Sequence, residues 1–515
     1  MRGTGSRLGI CGVLPFALGI AACEAPPAAA PAGAGAGVDV NGPAAPAVAV
    51  APHARTPRLI APLSGSRSDS RQPVFTWTRG ANATLQICED RACARIIDSV
   101  RGADGIAQPT TPLPAGVLYW RVSGRQELSA TWEIVIPSRD AGLPTAFATL
   151  PDYDGDGFAD VAIGDPAENA VFLFRGAFFP AFSSPDARLA GPSEFGRGVG
   201  AVGDVNGDGF VDLGVASGAE PGAVTIYFGG PSGPTPGPTL TASAATSAFG
   251  ATLASAGDVD GDGYGDILVG GRPVAEVFLG GPAGPCTTAA FTLAPGASSA
   301  DASVVQGPAD VNADGHPDVD VGGAIYLGTG RSFALEPGSD FSIFASFAGD
   351  ENGDGFVDFA AGAVDPGAPA GIDTAAFLLV EAGVSFLGAA GDVDGDGYGD
   401  TWAAISSLLG APERERVYFG GPGSCGDTNC RRHSPIPIPG HDQRGGNLLA
   451  IIAAAGDVNG DGTDDVVVTT PDNGTAYLLL GSAGGLEPFP FRTWTGGAGF
   501  GASLPALFGS ARPSF

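Results

Sequence analysis

Seven nine-residue segments of this chain share the pattern Asp-x-(Asp/Asn)-x-Asp-Gly-x-x-Asp, which sets oxygen-bearing side chains at positions 1, 3, 5 and 9. In chain order these are Asp152, Asp154, Asp156 and Asp160; Asp204, Asn206, Asp208 and Asp212; Asp258, Asp260, Asp262 and Asp266; Asp310, Asn312, Asp314 and Asp318; Asp350, Asn352, Asp354 and Asp358; Asp392, Asp394, Asp396 and Asp400; and Asp457, Asn459, Asp461 and Asp465. Asn replaces Asp only at position 3, and position 6 is Gly in every copy. Oxygens spaced in this way along a tight loop converge on one point, and the glycine takes the backbone conformation that lets the chain wrap around it. A carbonyl at position 7 can add a further ligand. A cage of hard oxygen donors suits calcium and not zinc or copper, so up to seven Ca2+ ions are expected. The ligand positions of the loops hold 24 of the 55 acidic residues, in a chain whose formal charge is −30. Without cations each would crowd three or four carboxylates together.

The flanks say which elements carry these loops. An EF-hand needs Glu at position 12 between two helices. Here position 12 is Ile163, Val215, Val269, Val321, Ala361, Ala403 and Val468, so a dockerin-like helix pair fails too. The glycine-rich nonapeptide β-helix repeats every nine residues, whereas these motifs start 52, 54, 52, 40, 42 and 65 residues apart. Small or apolar runs stand on both sides of each loop, which predicts a connection between two buried strands. A further strand recurs downstream at 224–228, 276–279, 324–327, 416–419 and 476–480, ended by glycine. Four short strands in about 50 residues is the size of a propeller blade. The fold class expected is all-β: a seven-bladed β-propeller over 143–515, preceded by a small β-sandwich.

Phe195-Gly196 and Phe249-Gly250 each stand nine residues before a loop, and Phe500-Gly501 recurs near the end. With the acidic loops, these pairs resemble FG-GAP repeats, the blades of integrin alpha-chain propellers and of many bacterial secreted proteins. The pair is absent before the loops at 310, 392 and 457. The resemblance implies a calcium-binding propeller whose loops on one face form a ligand site. The first loop follows only a short stub at 146–151, and 500–507 looks like the missing strand, expected to pair into the first blade and seal the ring.

The N-terminal part reads differently. Arg2 and Arg7 precede an apolar stretch ending Ile20-Ala21-Ala22-Cys23, which resembles a bacterial lipoprotein signal. Residues 1–22 would be removed and Cys23 lipidated, placing the chain at the cell envelope, in the outer membrane or at the cell surface. Residues 23–56, rich in Ala and Pro, read as a tether. Period-two apolar patterns over 57–138, with Trp77, Trp120 and Trp132 as core candidates, resemble a fibronectin type III or immunoglobulin-like module. Cys88 with Cys93, and Cys425 with Cys430, each flank a four-residue turn and read as hairpin disulfides in an exported chain; Cys286 is left over as a free thiol.

All 25 basic residues are arginine, which removes Schiff-base and P-loop chemistry. The acidic balance disfavours nucleic acid as a partner. No G-x-S-x-G occurs, and calcium fully ligated by protein is structural, so no enzyme is expected. The function expected is calcium-dependent binding or adhesion toward an extracellular protein or glycan. The candidate ligand loop is the insertion at 425–447 with Arg431, Arg432, His433 and Arg444. A structural envelope scaffold that displays the N-terminal module, and a hydrolase with a propeller active site, are the alternatives.

Overall fold

A computed structural model describes residues 57–511 apart from short stretches, the longest being 375–383, 406–413, 422–432 and 437–449. Seven sheets follow one another among the described residues, one for each acidic motif. The second is typical. Gly198–Gly203, Asp212–Ser217, Ala223–Phe228 and Thr235–Thr241 pair antiparallel in that order, and the acidic loop joins the first strand to the second. First strands such as Leu253–Gly257 and Ile451–Gly456 are fully buried and small-residue-rich. Successive first strands pack against one another, and the approach is close: a Cβ on Gly200 would lie 2.6 Å from the Leu253 carbonyl oxygen. Larger side chains would hold the strands apart. The molecule is an all-β propeller.

The first sheet, Val161–Asp165, Ala170–Phe174 and Ala187–Ala190, lacks an inner strand of its own. The far end of the chain supplies it. Gly164 and Ser503 form an antiparallel bridge, the Gly164 amide donates to the Ser503 carbonyl at 3.0 Å, and the Gly501 amide donates to the Gly164 carbonyl at 2.8 Å. Leu504–Ala506 thereby lies between the inner strands Ile451–Gly456 and Gly198–Gly203. The Phe-Gly pairs have a shared role. Phe195, Phe249 and Phe500 are buried, and each following glycine, at positive φ, donates its amide to a strand residue or to the glycine just after one, in its own or the neighbouring sheet.

Residues 59–136 form two further sheets. Leu59–Ala61, Phe75–Trp77 and Ile106–Ala107 make one. The other runs Ile96–Arg101, Thr84–Cys88, Gly116–Ser123, Trp132–Ile136, Ser66–Ser68 and Ala146–Phe147, so it recruits part of the stub ahead of the first acidic loop. Between them Trp120 meets Phe75 at 4.8 Å and Trp132 at 5.6 Å, centroid to centroid. Trp77 lies in the same core. Cys88 and Cys93 form the expected disulfide. Cys286 is disulfide-bonded and not a free thiol; pairing cysteines by closeness in sequence misses a bond between distant ones.

Candidate metal centres

Each acidic loop is organised by its own backbone. The position 1 carboxylate turns inward and accepts the amide of the position 6 glycine, as Asp152 does from Gly157 at 2.8 Å and Asp204 from Gly209 at 2.8 Å. The position 5 carboxylate accepts the amide of position 7, as Asp208 does from Phe210 at 3.0 Å. Glycine at position 6 has φ from +82° to +98° across the seven loops, a region closed to most side chains. The fourth loop, with His316 and Pro317 in it, keeps these bonds: Gly315 donates to Asp310 and His316 to Asp314.

Position 9 does something the sequence did not reveal. Both of its oxygens accept backbone amides in every loop. In the second, Asp212 accepts Val205 at 2.9 Å and Gly229 at 2.8 Å; in the seventh, Asp465 accepts Val458 at 3.0 Å and Gly481 at 2.9 Å. The carboxylate therefore clasps position 2 of its loop to the residue leaving the third strand. That residue must be glycine, because a Cβ on Gly229 would stand 2.4 Å from the Val211 carbonyl oxygen and one on Gly481 2.4 Å from that of Asp464. The glycines that end the third strands were the available signal.

Position 3 divides the loops into two kinds. Where it is Asn, the side-chain amide donates to the position 5 carboxylate, as Asn206 does to Asp208 at 2.9 Å and Asn459 to Asp461 at 3.0 Å. An all-Asp loop has no such donor. Among the described residues, three carboxylates converge within 4.8 Å in the first loop (Asp152, Asp154, Asp160), the third (Asp258, Asp260, Asp262) and the sixth (Asp392, Asp394, Asp400). Asp260 Oδ1 and Asp392 Oδ1 are buried without a hydrogen-bond donor. Burial first, and then the neighbouring Asp208 carboxylate, push Asp204 up to about 7. Burial also takes Asp258 to about 7 and Asp318 to about 8. Hard oxygen donors, undonated oxygens and crowded negative charge fit a hard divalent cation.

The N-terminal sheets are seated on this acidic face. Arg91, held in the turn between the bonded cysteines, donates to the carbonyls of Gly155 in the first loop and Gly209 in the second, both at 2.7 Å. Its guanidinium also lies 4.4 Å from the Phe210 ring centre. Arg58 stacks over Tyr264 of the third loop at 4.9 Å. Arg139 donates to the Gly353 carbonyl of the fifth loop and stacks over Tyr398 of the sixth at 4.4 Å. Arg67 pairs with Asp464 of the seventh at 2.5 Å. Four arginines thus reach six loops. A cavity of about 340 Å³ remains between the two parts, lined by Arg67, Val117, Arg139, Asp392, Tyr398 and Asp464 among others. The module is therefore packed onto the propeller, not displayed apart from it.

Of the remaining expected site residues, His433 lies in the edge strand His433–Pro435, stacked on Tyr418 with ring centres 5.6 Å apart. Arg431, Arg432, Arg444, Cys425, Cys430 and Cys23 fall outside the described residues. Among the described residues no helix is long and apolar enough to cross a membrane.

Comparison with known proteins agrees with the loops. Residues 152–215 and 204–269 match the FG-GAP-like repeat, and 450–479 match the FG-GAP repeat. The chain is similar to integrin alpha-4 of Xenopus laevis, 31% identical over 137 residues that cover 23% of this chain and 13% of that protein. It is similar to integrin alpha-10 of Homo sapiens, 38% identical over 123 residues, 22% of this chain and 10% of that protein. With integrin alpha-IIb of Homo sapiens it shares 30% identity over 235 residues, 40% of this chain and 22% of that protein. These alignments span under a quarter of each relative's length. Among solved structures, a rhamnogalacturonan lyase PL11 of Bacillus licheniformis aligns at TM-score 0.38 and 11% identity, over 84% of this chain and 91% of that one.

Proposed function

From a chain that carries FG-GAP repeats like those of integrin alpha subunits, we propose an exported calcium-binding protein. Its seven-bladed propeller (143–515) serves binding or adhesion toward an extracellular protein or glycan and is not a catalyst. The reading includes a signal peptide at 1–22, lipidation of Cys23 and a tether at 23–56 that anchor it at the cell envelope. A β-sandwich at 57–138 follows. The convergence of three carboxylates in each of the first, third and sixth loops carries the proposal.

The oxygens at positions 1, 3 and 5 would hold the ion, with position 9 contributing from its clasp. Bound calcium supplies charge neutralisation and a cross-link between the two ends of each loop. The chain's own part is pre-organisation. Amides at positions 6 and 7 orient the position 1 and 5 carboxylates, and position 9 ties the loop to the third strand. The insertion at 425–447, with Arg431, Arg432, His433 and Arg444, is the proposed ligand loop.

Calorimetry of the chain in calcium and in chelator tests this reading. Each site filled at ten times its Kd adds about 1.4 kcal/mol to the native state, so several filled sites raise Tm markedly. Identical melting curves would remove the metal from the account. Protein and glycan arrays probed under the same two conditions read the partner.

A further inference from the structure

Glu133 belongs to the N-terminal strand Trp132–Ile136, yet its side chain is spent on the propeller. Trp132 and Ile134 enter the module's own core, so strand alternation turns Glu133 to the opposite face. Only 1% of its surface is exposed. Its Oε2 accepts Arg91 at 2.7 Å, but Arg91 is shared, because its other nitrogens donate to carbonyls of the first and second loops. Glu133 Oε1 has no hydrogen-bond donor, and the Glu133 carboxyl stands against that of Asp152 in the first loop. Asp152 is itself 1% exposed. Five carboxylates, those of Glu133, Asp152, Asp154, Asp156 and Asp160, thus gather around two guanidinium groups, Arg91 and Arg175. Their formal charge exceeds that of the two arginines by three.

The other contacts set this one apart. At the third, fifth, sixth and seventh loops the module presents arginines, to the rings of Tyr264 and Tyr398, the Gly353 carbonyl and the Asp464 carboxylate. At the first loop it adds a carboxylate. The geometry points to a divalent cation site shared between the first acidic loop and Glu133, so that filling it fastens the N-terminal module to the propeller. This rests on the calcium reading above and extends it to a residue outside the repeats.

The test uses the full chain and Ca2+ alone. Uptake is followed by titration calorimetry, and hydrogen exchange is followed in peptides covering 129–136 and 205–211, with Ca2+ and with chelator. In the unaltered chain Ca2+ slows exchange in both peptides. Glu133→Gln, which keeps the side chain's size and an acceptor for Arg91, weakens one site about tenfold and abolishes the Ca2+-dependent protection. Asp260→Asn weakens a site in the third loop and leaves that protection intact. Where Glu133→Gln does not fold, Glu133→Asp, which keeps the charge but withdraws it, reads the same two outcomes. Unchanged affinity and protection in the Glu133 variant would overturn the inference alone, as would equal loss of protection in Asp260→Asn. Failure of the unaltered chain to take up Ca2+ would overturn the calcium reading itself.

Discussion

Position 9 of the acidic loop shows how one side chain can serve two ends. Asp212 has no exposed surface, and both of its oxygens accept backbone amides, from Val205 and Gly229. Asparagine there keeps one acceptor and turns an N–H toward the other amide. We expect Asp212→Asn to cost about 1–3 kcal/mol, the range for leaving a buried donor unsatisfied, in chelator as well as in calcium. Denaturant unfolding under both conditions measures it. A loss seen only in calcium would mean that the residue acts through the ion. The motif announced this aspartate as a ligand, but its clasp was hidden. Its second partner lies on another strand, at intervals from 9 residues (Asp358 to Gly367) to 20 (Asp400 to Gly420), and no fixed spacing marks it.

At the scale of the element, the Cys88–Cys93 hairpin is a mount for Arg91. The disulfide closes a four-residue turn, and the arginine it presents joins two acidic loops and Glu133. Arg91→Met keeps much of the aliphatic stem and removes every one of those bonds. Because it strands the buried Glu133 carboxylate, the expected loss is about 3 kcal/mol. Unfolding should then split in two as the N-terminal sheets melt before the propeller. A single transition at the original midpoint would show that Arg91 contributes nothing to the docking. The hairpin itself was legible, since two cysteines five apart between β-type runs admit few other readings. Its partner surface was not, because Arg58, Arg67, Arg91 and Arg139 follow no period and meet loops 64 to 397 residues away.

For the whole molecule, the crowded carboxylates tie stability to pH. Burial raises Asp310 to about 6, Asp258 and Asp392 to about 7 and Asp318 to about 8, against 3.8 ordinarily. A carboxyl raised in the fold binds more protons folded than unfolded, so its contribution is complete below about pH 4 and is lost as pH rises through the folded value. In chelator, stability should therefore fall between about pH 4 and pH 8. Calcium, which favours the ionised form, should flatten or reverse that slope. Melting temperatures across this range, with and without calcium, decide it; matching slopes would mean that the loops do not couple protons to metal. The repeat was legible at this scale because each sheet repeats one local pattern. The stacking of the N-terminal sheets on the acidic face was not, because surface complementarity between distant segments leaves no local trace.

The inner strand of the first sheet comes from the opposite end of the sequence. Ser503, whose hydroxyl accepts the Val199 amide, stands 304 residues from it. A growing polypeptide therefore makes Val161–Asp165 long before the partner that covers its edge exists. Contacts so distant in sequence form slowly, and until they do an unpaired edge stays open to other chains. Synthesis and delivery must outrun assembly, and a proteolytic nick near Ser503 unseats the first sheet as surely as damage to the sheet itself.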